Sequence, residues 1–101
     1  MEGYYVYRFD VIKKNNGRID KVNVEKILGG FSCIEDCESV LNTVAWYLDD
    51  EDNAYLVIEF EDNEPIRIAG VYYVDDGEGS MDVAGRDFRV IASIAFGTDW
   101  V

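Results

Sequence analysis

The sequence predicts an α+β fold in a single domain, residues 1–101: an antiparallel sheet of about five strands, in the order β-β-α-β-β-β, with one amphipathic helix packed on one face. Residues 32–52 carry the apolar period of a helix, whereas the flanking segments alternate between apolar and polar residues. Short turn sequences separate these segments, and short turns join neighbouring strands in antiparallel pairs. A chain of 101 residues without a linker suits one domain.

The first two strands should form a hairpin. Residues 4–13 alternate and predict a strand, and Asn16-Gly17 predicts a two-residue type I′ turn, whose two positions both need positive φ. In the resulting register apolar residues face apolar ones and a base faces an acid. The paired residues would be Val11 with Val22, Phe9 with Val24, and Lys13 with Asp20. The second strand then covers about residues 18–24.

The helix is predicted to begin at a capping box formed by Ser32 and Glu35. At 100° per residue one stripe of this helix is entirely apolar and should lie on the sheet. The stripe comprises Ile34, Cys37, Val40, Leu41, Val44, Ala45 and Leu48. The opposite face is polar except for Trp46, which is therefore predicted to lie away from the hydrophobic core that the helix covers.

Residues 54–61 and 66–74 should form a second hairpin through a three-residue loop, 62–64. This loop pairs Phe60 with Ile66, Ile58 with Ile68, and Glu59 with Arg67. The side chains of Leu56, Ile58 and Phe60 would point inward. With Leu41, Val44 and Leu48 of the helix, Ile58 and Phe60 are the predicted core.

The last quarter of the chain is predicted to begin with an exposed loop or a wide hairpin, residues 75–87. Residues 88–96 are compatible with either a strand or a buried helix, and their β-branched residues and the shortness before Gly97 favour a fifth strand. The second face of the sheet would then be unusually apolar and aromatic. Its residues would be Tyr55, Val57, Glu59, Arg67, Val71, Tyr73 and Ile91. Either loops and the C-terminal Trp100 cover this face, or it is a homodimer or partner interface.

The formal charge of −12 is unevenly distributed along the chain. Residues 1–26 contain six bases and four acids, whereas residues 27–101 contain three bases and 17 acids. No Lys or Arg occurs from residue 27 to residue 66. Such a field repels nucleic acid and membrane surfaces and attracts basic partners. The sequence therefore predicts a protein-binding surface, without direct contact to nucleic acid or membrane.

Catalysis is not expected, and neither is a cofactor or a metal site. The chain has no histidine, which excludes triads that need an imidazole. Cys33 and Cys37 have acidic neighbours that oppose thiolate formation. The Asp and Glu clusters lack the EF-hand pattern. Two cysteines four residues apart, no apolar run long enough for a membrane span and no basic leader together indicate a cytoplasmic protein.

We therefore expect a small acidic inhibitor that occupies the basic groove of a nucleic-acid-handling protein. In size and charge the chain is similar to phage anti-defence proteins, including anti-CRISPRs and other DNA mimics. The alternatives are an immunity protein that neutralises a nuclease toxin, and a homodimeric structural or assembly subunit. The predicted partner-binding residues are Glu35, Asp36, Trp46, Asp49, Asp50, Glu51, Asp52, Asp75, Asp76 and Glu78.

Overall fold

Five antiparallel strands form one sheet, and a helix packs on each of its two faces. This computed structural model describes residues 1–49 and 53–101. In chain order the elements are β1 (Gly3–Lys13), β2 (Ile19–Phe31), α1 (Ile34–Leu48), β3 (Ala54–Glu61), β4 (Glu64–Asp75), β5 (Glu78–Asp82) and α2 (Arg86–Phe96). The strands lie side by side in the order β2-β1-β3-β4-β5. The single α+β domain is confirmed, whereas the predicted element order is wrong in its final part.

The interior register of the β1–β2 hairpin is as predicted, with Val11 opposite Val22 and Phe9 opposite Val24. The turn differs from the type I′ prediction. The Gly17 amide donates to the Lys14 carbonyl at 2.9 Å, and the Lys14 amide donates to the Arg18 carbonyl at 2.7 Å. Residues 15–17 therefore form a three-residue loop in which Gly17 has a φ of +82°. Lys13 pairs with Ile19 instead of Asp20, and an irregularity beside this pair restores the predicted register.

Gly17→Val should lower the free energy of unfolding by about 1–2 kcal/mol, because the left-handed backbone conformation at this position is unfavourable for a β-branched residue. A Cβ at Gly17 would meet no atom within 4 Å, so the expected loss comes from the backbone alone. Urea unfolding measures it, with Gly17→Asn as the control because Asn tolerates this conformation. A Val variant that unfolds at the parent's midpoint would contradict the assigned turn.

The β3–β4 hairpin closes through a two-residue turn, not the predicted three-residue loop. Asp62 and Asn63 have φ values of 52° and 68°, as a type I′ turn requires. Phe60 consequently faces Pro65 instead of Ile66, and a register shift beside this pair accommodates the extra residue. The other two predicted pairs are confirmed: Ile58 with Ile68, and Glu59 with Arg67.

The segment predicted as an exposed loop or wide hairpin, residues 75–87, contains the edge strand β5, which forms a hairpin with β4. Asp76 and Gly77 form its two-residue turn, with φ values of 52° and 77°. Within β5, half-buried Gly79 and Met81 alternate with exposed neighbours. The hairpin alternative is therefore confirmed, with a tight turn in place of a wide one, and the loop alternative is wrong. Glycine and acidic residues obscured a strand that has only one covered face.

Helix α1 begins at Ile34, and its N-cap residue Cys33 makes no side-chain capping hydrogen bond. The predicted capping box of Ser32 and Glu35 is therefore wrong. Cys37, Leu41 and Ala45 of the predicted stripe are buried, whereas Ile34, Val44 and Leu48 are half-buried and Val40 is exposed.

Helix α1 packs on the opposite face of β3 from the one predicted. It covers Tyr55 and Val57, and not Leu56, Ile58 and Phe60. Both faces of β3 are apolar along most of its length, so alternation along the strand could not decide which face the helix covers.

Residues 88–96 belong to helix α2, so the favoured fifth strand is wrong and the helix alternative is confirmed. Phe88, Ile91, Ala92 and Phe96 have helical spacing and pack against the sheet face of Leu56 and Ile58. Gly97 ends the helix in the left-handed conformation, with a φ of 66°, and its amide donates to the Ser93 carbonyl. The β-branched residues inside this segment had favoured a strand.

The predicted aromatic face of the sheet is not a single open surface. Tyr55 and Val57 are buried in the cluster that contains α1 residues, whereas Val71, Tyr73 and Ile91 belong to the cluster around α2. Trp100 packs in the α2 cluster, with its ring 6.1 Å from that of Phe96. The homodimer predicted through this face would therefore find its apolar members already covered by the chain's own helices.

Candidate functional site

Two aromatic side chains are strongly exposed at the C-terminal end of α1. Trp46 is 71% exposed and Tyr47 is 75% exposed. Their rings make an edge-on contact with centroids 5.8 Å apart and planes at 80°. Neither belongs to the packed clusters that hold the sheet and helices together. Large rings exposed together are typical of binding surfaces.

The β4–β5 turn brings further carboxylates to this end of α1. The Gly77 amide donates to Oδ2 of Asp49 at 2.6 Å. A Cβ placed on Gly77 would lie 3.8 Å from Trp46 Cα and Cβ, so the turn contacts the helix at Trp46 itself. We call the resulting patch the acidic aromatic surface, and its described residues are Trp46, Tyr47, Asp49, Asp75, Asp76 and Glu78.

Two buried tyrosines hold the helix beneath this surface. The Tyr55 hydroxyl donates to the Leu48 carbonyl at 2.6 Å, and the Tyr72 hydroxyl donates to Oδ1 of Asn42 at 2.5 Å. Burial raises the pKa of Tyr72, and the carboxylate of Glu38 raises it further, so this phenol remains a neutral donor. The exposed rings are therefore presented from a fixed helix, which limits the entropy lost on binding.

The charge at the C-terminal end of α1 opposes the helix dipole. The last turn contains no basic residue, and the C-cap position is Asp49. A carboxylate near a helix C-terminus costs about 0.3–1 kcal/mol when exposed. The hydrogen bond from the Gly77 amide partly offsets this cost and fixes the carboxylate beside the turn.

Glu35 and Asp36 do not join this cluster. Glu35 and Asp36 lie in the first turn of α1, where carboxylates favour the helix dipole. Glu35 is eleven residues before Trp46, on nearly the same side of the helix and roughly 16 Å away along its axis. The two carboxylates extend the acidic side of α1 without touching the aromatic pair. Asp50, Glu51 and Asp52 lie outside the described residues.

An apolar cleft of about 410 Å³ adjoins Tyr47 on the side of α1 that faces β2. The sequence did not predict it, because it forms between elements distant along the chain. The helical period gives no signal for Tyr47, because it lies about 100° from Trp46 around the helix, at the margin of the apolar stripe. The residues around the cleft are Arg8, Ile27, Leu28, Val44, Tyr47, Leu48 and Tyr55.

The two thiols lie at the other end of α1, and their environment disfavours thiolates. Burial, reinforced by the carboxylate of Glu38, raises the pKa of Cys37 to about 11. At Cys33 the amide hydrogen bond from Asp36 lowers the pKa, but burial and the carboxylates of Asp36 and Glu35 together raise it. Within residues 1–49 and 53–101, no three His, Cys, Asp or Glu side chains are grouped to hold a metal ion.

The stability of the protein should fall between pH 9 and pH 11 because of Cys37. Its pKa is near 9.0 in an ordinary environment and about 11 in the folded protein, so the folded state binds the proton more tightly. This stabilisation is complete below pH 9 and is lost as the pH rises to 11, by roughly 2 kcal/mol. Unfolding at pH 8 and pH 11 measures it, with Cys37→Ala as the comparison. Equal losses in the two proteins would contradict the prediction, because the tyrosines titrate in both.

Comparison with protein-family models, curated protein sequences and solved structures finds no match to this chain. Neither of the helices in the described part of the chain has the length and hydropathy to cross a membrane. The acidic aromatic surface is the candidate functional site of this chain.

Proposed function

We propose that this chain is a small acidic inhibitor that binds a basic, nucleic-acid-handling protein in the cytoplasm and occupies its nucleic-acid groove. DNA mimics among phage anti-defence proteins, including anti-CRISPRs, would act in this way. The observation that carries the proposal is the exposed pair of Trp46 and Tyr47, presented by a fixed helix among carboxylates. Binding, and not catalysis, is the proposed activity.

The charge of the chain supports a basic partner. Of its 21 acidic residues, 17 lie in residues 27–101, where there are only three bases. Carboxylates arranged along one side of a protein can take the place of nucleic-acid phosphates in a basic groove. Their long-range attraction would speed encounter and make association strongly salt-dependent.

The aromatic pair supports a specific complex over loose attraction between opposite charges. Exposed carboxylates alone contribute little once salt screens them. Trp and Tyr are enriched among the residues that dominate binding energy, and the guanidinium of Arg stacks on their faces. A groove lined with Arg would therefore match both parts of the acidic aromatic surface.

The cytoplasmic assignment is part of the same proposal. Cys33 and Cys37 are both free thiols. Free thiols persist in reducing compartments, where nucleic-acid-handling proteins are found.

Capture from host lysate tests the proposed function. The wild-type chain should retain a basic nucleic-acid-binding protein at low salt, and duplex DNA should displace it. Val83→Ala is a suitable control, because Val83 is a 93% exposed apolar residue outside the surface. The control should capture the same protein, whereas Trp46→Ala combined with Tyr47→Ala should not. Capture that DNA does not disturb, or that the double variant retains, would contradict the proposal. A nuclease toxin as the captured partner would favour the immunity protein.

A further inference from the structure

The outer edge of β2 is long and open. β2 has 13 residues and lies at one edge of the sheet, whereas β5 at the other edge has five. In the part of the chain that the structure describes, β2 pairs only with β1. Unpaired edges of this length readily accept another strand unless their sequence prevents it.

The sequence of β2 is complementary to itself about Asn23. Consider a second copy whose β2 pairs antiparallel with this one across a two-fold axis at Asn23. Each residue that precedes Asn23 in one copy then faces the residue that follows Asn23 by the same number of positions in the other copy. The pairs are Val22 with Val24, Lys21 with Glu25, Asp20 with Lys26, and Ile19 with Ile27. Apolar residues thus meet apolar ones, and each base meets an acid. We propose that two copies of this chain associate through their β2 edges in this register and form one continuous sheet.

The side chains of the inner pairs are placed for this contact. Lys21 is exposed, and Glu25 has 68% of its side chain exposed. The guanidinium of Arg8 donates to Oε2 of Glu25 at 2.8 Å and fixes this carboxylate on the strand, where Lys21 of a second copy can reach it. The irregular pairing with β1 falls at Asp20, so residues 21–25 carry the proposal.

Charge also favours this edge over the rest of the surface. Each chain carries a net charge of −12, and two acidic surfaces repel each other. Residues 18–27 are the exception, because they hold three bases and two acids. A two-fold dimer needs a patch that is complementary to itself, and the β2 edge meets this condition.

The proposed dimer is independent of the proposed function. Trp46 lies beside the β4–β5 turn, towards the opposite edge of the sheet from β2. Tyr47 borders a cleft with Ile27 and Leu28 of β2, outside residues 21–25. Pairing at β2 would leave Trp46 open to a partner.

Charge reversal tests the proposal through sedimentation equilibrium at physiological salt. In the Lys21→Glu variant, Glu at position 21 of each copy faces Glu25 of the other. In the Glu25→Lys variant, Lys at position 25 of each copy faces Lys21 of the other. By symmetry each dimer contains two such like-charged pairs. Either single variant should weaken dimerisation at least about tenfold. Lys14→Glu makes the same charge change as Lys21→Glu in the neighbouring turn, outside the register, and should dimerise like the wild type.

Mixing the two single variants provides the decisive comparison, because Glu at position 21 then faces Lys at position 25. An equimolar mixture should form a heterodimer although neither variant dimerises well alone. Circular dichroism should confirm that each variant is folded. The ion pair between Arg8 and Glu25 that is lost in Glu25→Lys is exposed and should contribute little to stability. A wild-type chain that stays monomeric at high concentration would overturn the proposal. So would single variants that dimerise normally, or a mixture that does not associate.

Discussion

Leu41→Ala should lower the free energy of unfolding by about 2–5 kcal/mol, the largest loss expected from any single truncation in α1. Leu41 is 0% exposed and packs with Val6, Tyr55 and Tyr72 in the cluster beneath the helix. Its removal would leave a cavity between α1 and the sheet, because the strands below cannot move into the space. Urea unfolding followed by circular dichroism measures the loss.

The control for Leu41→Ala is Val40→Ala, one residue earlier on the same helix. Val40 is 37% exposed, so its truncation should change stability by about 0.5 kcal/mol or less. Equal effects at the two positions would mean that α1 packs on the sheet through a different side.

Gly79→Val should destabilise the protein by about 3 kcal/mol, through overpacking. A Cβ built on Gly79 would overlap the hydroxyl and ring of Tyr72, a residue that is 0% exposed. Either β5 or α1 must then move, and the hydrogen bond from Tyr72 to Asn42 would be strained. Thermal unfolding gives the size of the effect.

Ser80→Val is the matched control for Gly79→Val, because Ser80 is the next residue of β5 and its side chain is exposed. Valine favours strands, so this variant should keep or slightly raise stability. A Gly79→Val protein as stable as the Ser80→Val protein would rule out the close packing of β5 on Tyr72.

The two hairpins could be predicted because the residues that determine them are close together in the sequence. In β1–β2 the pairs Val11 with Val22 and Phe9 with Val24 follow from alternation and a nearby glycine. The turns themselves were misassigned at both predicted hairpins. Register shifts absorb a residue next to each turn, and nothing in the alternation of side chains reveals such a shift.

The second helix could not be predicted from the sequence, because the contacts that favour it are with residues distant along the chain. Residues 88–96 are short and rich in β-branched residues, and their helical spacing matters only once a sheet face needs a cover. The same applies to the orientation of β3. With apolar residues on both of its faces, only the docking of α1 and α2 decides which face each helix covers.

Part of the candidate site was visible in the sequence. The helical period alone placed Trp46 opposite the buried stripe, and the structure puts it on the surface. The contact between Asp49 and Gly77 joins residues 28 positions apart and depends on the β4–β5 turn, which lies in the segment predicted as an exposed loop or wide hairpin. The grouping of Asp75, Asp76 and Glu78 beside Trp46 therefore required the fold.

Measuring binding and stability on one variant tests whether the acidic aromatic surface binds the partner. Trp46→Ala combined with Tyr47→Ala should bind the partner retained by the wild-type chain at least about 30-fold more weakly, which corresponds to ~2 kcal/mol, mainly through faster dissociation. Its melting temperature should match that of the wild type, because both rings are exposed. Neutralising Asp76 and Glu78 to Asn and Gln should instead slow association and flatten its salt dependence. Unchanged affinity of the double aromatic variant, whatever its stability, would contradict the claim that this surface binds the partner.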